Sequence, residues 1–241
     1  MNSLLPISTA LCLPAADIAA LIQGRIIAAI PRMFIRPGQK FALFPVDSLS
    51  IPISTDKYYC SNFLPVAQSI NINSKIQAYA QCELSQIIDD NQSLEKLSKL
   101  TIWTKEALEK ILHQHQHIFL TYLRVYELSQ PYELSLEIES NKLGKFIGLP
   151  KPLAVSDNNP ILPDNIFTTR KCQLEKLESP PHPELENILD VLSPLAVKKP
   201  SAKQFQDNIH LFLGWRNQKQ KKYFDPDLVW INKIAEVGNS S

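Results

Sequence analysis

Nine prolines crowd one quarter of this chain, at positions 150, 152, 160, 163, 180, 181, 183, 194 and 200. Each fixes φ and removes a backbone donor, so such a stretch cannot form one continuous helix or a central strand. Residues 140–200 therefore read as a proline-rich linker. One short helix is expected within it over 184–192, where Leu185, Ile188, Leu189 and Leu192 share a face. The chain of 241 residues then divides into a folded domain over 1–139, the linker, and a helical, basic C-terminal segment over 201–241.

Composition limits what the domain can be. Hydrophobic residues make up 44% and charged residues 20%, enough apolar material for a packed core. A net charge of +1 excludes a polycation and an acidic solvating tail, but it leaves room for a local basic patch. With only 6 glycines, Gly-rich phosphate loops are nearly excluded. The apolar start lacks a basic leading region and is interrupted by Pro6 and Pro14, so no secretion signal and no membrane anchor are expected. Cys12, Cys60, Cys82 and Cys172 are scattered and form no C-x-x-C pair. Reduced, mostly buried thiols in a cytoplasmic protein follow from that pattern.

Local signals give an α+β order. Residues 14–24 are expected to be helical, opened by Pro14 and stopped by Gly24, with Ile18, Leu21 and Ile22 on one face. A β-rich run follows over 25–30. The turn Arg36-Pro37-Gly38-Gln39 leads into a buried strand over 40–44. Residues 47–74 read as loop. Ile76, Ala78, Ala80, Cys82 and Leu84 alternate as one strand face. Thr104 is the expected N-cap of a helix over 105–112, with Ala107 its third residue. The run 118–128 is the strongest strand, and a short edge segment is expected over 132–138.

This order, with the helix ending in Ala20-Leu-Ile-Gln-Gly24-Arg25, resembles the PUA-like superfamily, within it the ASCH and EVE modules, over residues 10–138. The resemblance implies a small open β-barrel with flanking helices and a cleft that accepts RNA or a modified base, in some cases flipped out of a strand. ASCH domains carry a Gly-x-Lys-x-x-Glu-x-Arg signature. Gly24 and Arg25 stand at its start, but 26–31 hold no acid, so hydrolysis is not implied.

Four features carry candidate chemistry. Arg25, Arg32, Arg36 and Lys40 are cations with no acid between Asp17 and Asp47, suited to phosphates or base edges. The ordinary alternative is a solvated surface. Tyr58, Tyr59, Asn62 and Trp103 combine flat rings with polar partners, as a base-capturing pocket requires, or they simply fill the core. His113, His115 and His117 would share one face only of an extended strand, and no carboxylate or thiol nearby completes a metal site. Arg216, Lys219, Lys221 and Lys222, beside Trp215, offer a second basic cluster or a solvated helix face.

No [Asp/Glu]-x-Lys triplet, G-x-S-x-G, H-E-x-x-H or P-loop occurs, so no complete catalytic motif is present and neither a cofactor nor a metal is called for. The expected function is a nucleic-acid-binding module that reads a modified or unpaired base of DNA or RNA. Arg25, Arg32, Arg36 and Lys40 would hold phosphates, and the cleft near Tyr58, Tyr59, Asn62 and Trp103 would select. Two alternatives stay open. One is a non-catalytic part of a bacterial restriction protein, because in modification-dependent restriction enzymes a PUA-like reader often precedes a nuclease. The tail over 224–241 then reads as the lead-in to a further domain. The other is a protein-interaction adaptor that docks a nuclease or other partner through its C-terminal segment.

Overall fold

The second half of the first strand shows no alternation. Ala10, Leu11, Cys12 and Leu13 are all buried, within β1 (Leu5–Pro14). A strand covered on both faces reads as a continuous apolar run, and β1 lies inside the sheet between two neighbours. The structure is a computed structural model. It describes residues 5–47, 51, 53–70, 75–133, 142–155, 159–177, 185, 188–189, 192, 195–197 and 199–220, with 212–220 as backbone.

Helix α1 (Ala15–Ile22) leaves β1 directly. The short β2 (Ala28–Ala29) and then β3 (Lys40–Val46) follow. β3 pairs in parallel with β1, Ala10 opposite Ala42, so the chain between them is a crossover carried by α1. Helices α2 (Thr55–Tyr58) and α3 (Leu64–Ser69) occupy the stretch expected to be loop. β4 (Lys75–Ile88) is followed by α4 (Asn91–Leu100), α5 (Lys105–His115) and β5 (Ile118–Glu133). The Thr104 hydroxyl accepts from Ala107 N at 3.0 Å, the N-cap its position predicts.

In β4, Ile76, Ala78, Ala80 and Cys82 are buried. The β4–β5 register shifts between Cys82 and Leu84, and the next buried position is Ser85. A bulge adds one residue and reverses the inward phase, which is why the alternation expected at Leu84 fails.

β6 (Phe146–Val155) lies inside the segment expected to be a linker. It pairs antiparallel with β1 at one end of the strand order β2-β5-β4-β3-β1-β6. Proline is tolerated on an edge strand. Here the register slips between Ile7 and Thr9, so residues 149–152, which include Pro150 and Pro152, have no paired partner. The missing N–H groups fall where the ladder has a gap. Helix α6 (Asp164–Lys176) follows. The first contact-defined unit comprises 1–163 with 170–179, so it reaches beyond the boundary expected at 139.

The six-stranded sheet is mixed and open. β2 ends it on one side and β6 on the other, so among the described residues the strand order does not return on itself and does not close into a ring as a complete barrel requires. The β-rich run expected at 25–30 contributes only two residues to β2.

The second unit comprises 164–169 and 180–241. It contains α7 (Pro200–Gln220), and Leu189 and Ile209 are buried there with Leu185 and Leu192 packed against them. Among the described residues, no helix is long and apolar enough to cross a membrane.

Candidate functional site

An acid in an apolar helix needs partners. α1 reads Ala-Ala-Asp-Ile-Ala-Ala, and Asp17 in its first turn is 1% exposed. Two donors from distant sequence reach it: the Tyr59 hydroxyl donates to Oδ1 at 2.7 Å and Trp103 Nε1 donates to Oδ2 at 3.2 Å. Backbone pairing places both donors. Cys60 N donates to Ile102 O, Thr104 N donates to Tyr58 O, and Tyr59 and Trp103 form an antiparallel bridge. The Thr104 hydroxyl also donates to Lys57 O. Segments 57–60 and 102–104 are thereby stitched together over the start of α1.

Burial raises the Asp17 carboxyl from 3.8 to about 7, although both hydrogen bonds oppose the shift. The Tyr58 hydroxyl is also raised, by burial first and then by the negative charge of Asp17.

Asp17 borders a cavity of about 200 Å³. Its buried wall includes Asp17 and Tyr58, while exposed Arg32, Gln114 and His115 lie at its mouth. His117 and Phe119 complete a ring-bearing side, with centroids 4.4 Å apart. Burial, the Arg32 charge and the neighbouring His117 lower the His115 pKa below its usual value. At neutral pH His115 is thus a neutral imidazole that can donate or accept.

Gly144 fixes the position of Arg32. Arg32 N donates to Gly144 O at 2.8 Å, and Gly144 N donates to Cys12 O at 2.8 Å. Gly144 has φ of +73°, and a Cβ there would lie 2.8 Å from Arg32 Cγ and 2.9 Å from Arg32 N. Only glycine permits that approach without strain.

The residues singled out from sequence disperse. Arg32 and Tyr58 line the cavity. Arg25 is a correction: it is 9% exposed, with its guanidinium 4.7 Å from the buried Phe63 ring, so it is a core cation rather than a surface phosphate contact. Tyr59 and Trp103, 1% and 0% exposed, are core donors to Asp17 and offer no open ring face, so they cannot form the selecting wall. Asn62 is exposed and does not line the cavity. Arg36 is exposed in a turn where Gln39 N donates to its carbonyl at 3.1 Å and Gly38 has φ of +84°. Lys40 opens β3, half-buried. Arg216 and Lys219 fall in the backbone of α7 with their side chains outside the described residues, and Lys221 and Lys222 lie outside them entirely.

The histidines do not lie on one strand face. His113 and His115 end α5, Gln116 turns left-handed with φ of 62°, and His117 precedes β5. Among the described residues, no group of three or more His, Cys, Asp or Glu comes together to hold a metal.

Sequence reasoning missed Asp17, Gln114, Phe119 and Gly144 as parts of one cavity. Asp17 did carry a signal, since it is the lone acid in the first 46 residues and sits among alanines. The other three meet only through the tertiary fold.

A family model matches residues 10–173, and its description is a domain of unknown function (DUF1802). No curated protein and no solved structure matches the chain.

Proposed function

The chain belongs to the DUF1802 family, and we propose that its first unit binds nucleic acid by taking one unpaired base into the Asp17 cavity. One observation carries this: the cavity joins a buried hydrogen-bonding carboxyl to a cationic mouth across a wall of rings. Pockets for drug-sized ligands run to roughly 300–1,000 Å³. A cavity of about 200 Å³ suits one ring system. Tyr58 and Phe119 supply apolar walls, Gln114 an amide, and Asp17 a carboxyl that can accept from a base N–H or, when protonated, donate. Arg32 supplies the phosphate contact, with Arg36 and Lys40 following on a stretch that holds no acid. The resemblance of residues 10–138 to PUA-like modules points the same way, because those modules take RNA or a modified base into a cleft.

The test is retention of a labelled single-stranded oligonucleotide by the full chain. Two or three phosphate contacts give a fall in affinity of roughly tenfold between 50 and 200 mM salt. Arg32→Ala removes one contact and flattens that dependence. No retention at low salt, or retention that salt does not change, rejects the proposal.

A further inference from the structure

A ring row leads out of the cavity. His117 and Phe119 line it, and the Phe34 ring meets Phe119 at 6.1 Å with the two planes 79° apart. Phe34 is 48% exposed, a large apolar side chain that the fold leaves partly in water. In an edge-to-face pair Phe119 covers at most one side of Phe34. Among the neighbouring exposed side chains, Met33 is apolar while Arg32 and Arg36, two residues to either side, are cationic, and the nearest acids in sequence are Asp17 and Asp47. An exposed ring with an arginine two residues to either side in sequence suits a base stacked on an aromatic face with its phosphates held alongside.

Building on the proposal above, we infer that the substrate is a single strand, with one base in the Asp17 cavity and an adjacent base stacked on Phe34. A duplex with one flipped nucleotide leaves the flanking bases stacked on each other, with no free face for Phe34. A single strand has such faces at every position. Phe34 therefore favours a single strand over a duplex with one base flipped out.

The experiment compares the full chain with its Phe34→Ala and Phe34→Trp variants. The probes are a fluorescein-labelled mixed-sequence single strand of eight nucleotides, the same strand annealed to its complement, and nucleoside monophosphates as competitors. Loss of one base–aromatic stack weakens binding by about five- to 150-fold. The expected result is that Phe34→Ala weakens single-strand binding by that factor and leaves monophosphate competition unchanged, while Phe34→Trp keeps single-strand affinity. Duplex bound as tightly as single strand overturns the inference, as does an unchanged single-strand affinity in Phe34→Ala. In both cases the cavity reading survives if monophosphates still compete. If neither oligonucleotide nor monophosphate binds at low salt, the cavity reading fails and the inference falls with it.

Discussion

Replacing Asp17 by asparagine tests the centre of the site through stability alone. The carboxyl is raised from 3.8 to about 7 by burial, so the folded state holds its proton more tightly than the unfolded chain does. The linked stability is fully present below the unfolded value and is lost as pH rises through about 7. At about 1.4 kcal/mol per pKa unit this is worth about 4 kcal/mol in all, of which about 3 kcal/mol disappears between pH 5 and pH 8. The amide that replaces the carboxyl does not titrate. Its oxygen accepts from one of Tyr59 and Trp103 while its NH₂ faces the other donor, a pH-independent cost of about 1–3 kcal/mol. The margin of wild type over Asp17→Asn is thus expected to fall by about 3 kcal/mol between pH 5 and pH 8. Other titrating groups cancel in the difference. The assay is urea unfolding at both pH values, with Trp215 and Trp230 replaced by Phe so that Trp103 is the remaining indole of the 3 in the chain. A margin constant to within about 0.5 kcal/mol would mean that the two donors outweigh desolvation and that Asp17 is ionised throughout.

Two further outcomes follow from the same structure. Gly144→Ala forces an L side chain to a φ of +73° against the Arg32 backbone. A cost of about 1–2 kcal/mol from the backbone conformation alone is expected, together with weaker oligonucleotide retention, as read by denaturant midpoint and filter binding. All four cysteines are free, Cys172 is exposed, Cys12 and Cys82 are buried, and burial pushes the Cys12 thiol up to about 11. Under native conditions at pH 8 a thiol reagent is expected to label Cys172 first and to reach Cys12 and Cys82 only on unfolding, as peptide mass spectrometry resolves. Fast labelling of Cys12 would contradict the burial of β1.

What the sequence showed, it showed through local rules. Thr104 capped its helix because Thr, followed by Ala107 at the N3 position, is a complete local device. The Pro37-Gly38 turn was equally self-contained, as was the inward face Ile76, Ala78, Ala80 and Cys82 of β4, although Tyr79 between them is buried too. β1 escaped because its second half, buried over 10–14, has no period to detect. β6 escaped because prolines deny a central strand but permit an edge, and edge position is a property of the whole sheet. The same division holds in the site. Arg25 counts as a cation in sequence, yet an exposed cation and one packed on Phe63 have identical local surroundings there. Arg32 and Tyr58 were legible as residue types, whereas their meeting with Asp17 and Phe119 depends on segments 14–17, 30–32, 57–60 and 114–119 converging.

The charge distribution along the cavity bears on how a ligand would lie in it. A carboxyl and a guanidinium in one cavity would ordinarily pair, but Asp17 is buried and held by two neutral donors, while Arg32 stands exposed. Among the described residues the Arg32 guanidinium makes no ion pair, which leaves it to solvent or an anion. A nucleotide has the complementary polarity, with its negative charge on the phosphate and N–H donors on the far edge of the base. Entered base first, it sets its anion against Arg32 and keeps it away from Asp17. Entered phosphate first, it would bring two negative groups together in a low-dielectric pocket, where like charges repel most strongly. Near neutral pH the carboxyl at about 7 can meet either edge chemistry, accepting when ionised and donating when protonated. On the proposed function, the buried carboxyl and the exposed guanidinium therefore set the direction of entry, while base selection falls to Asp17 and Gln114.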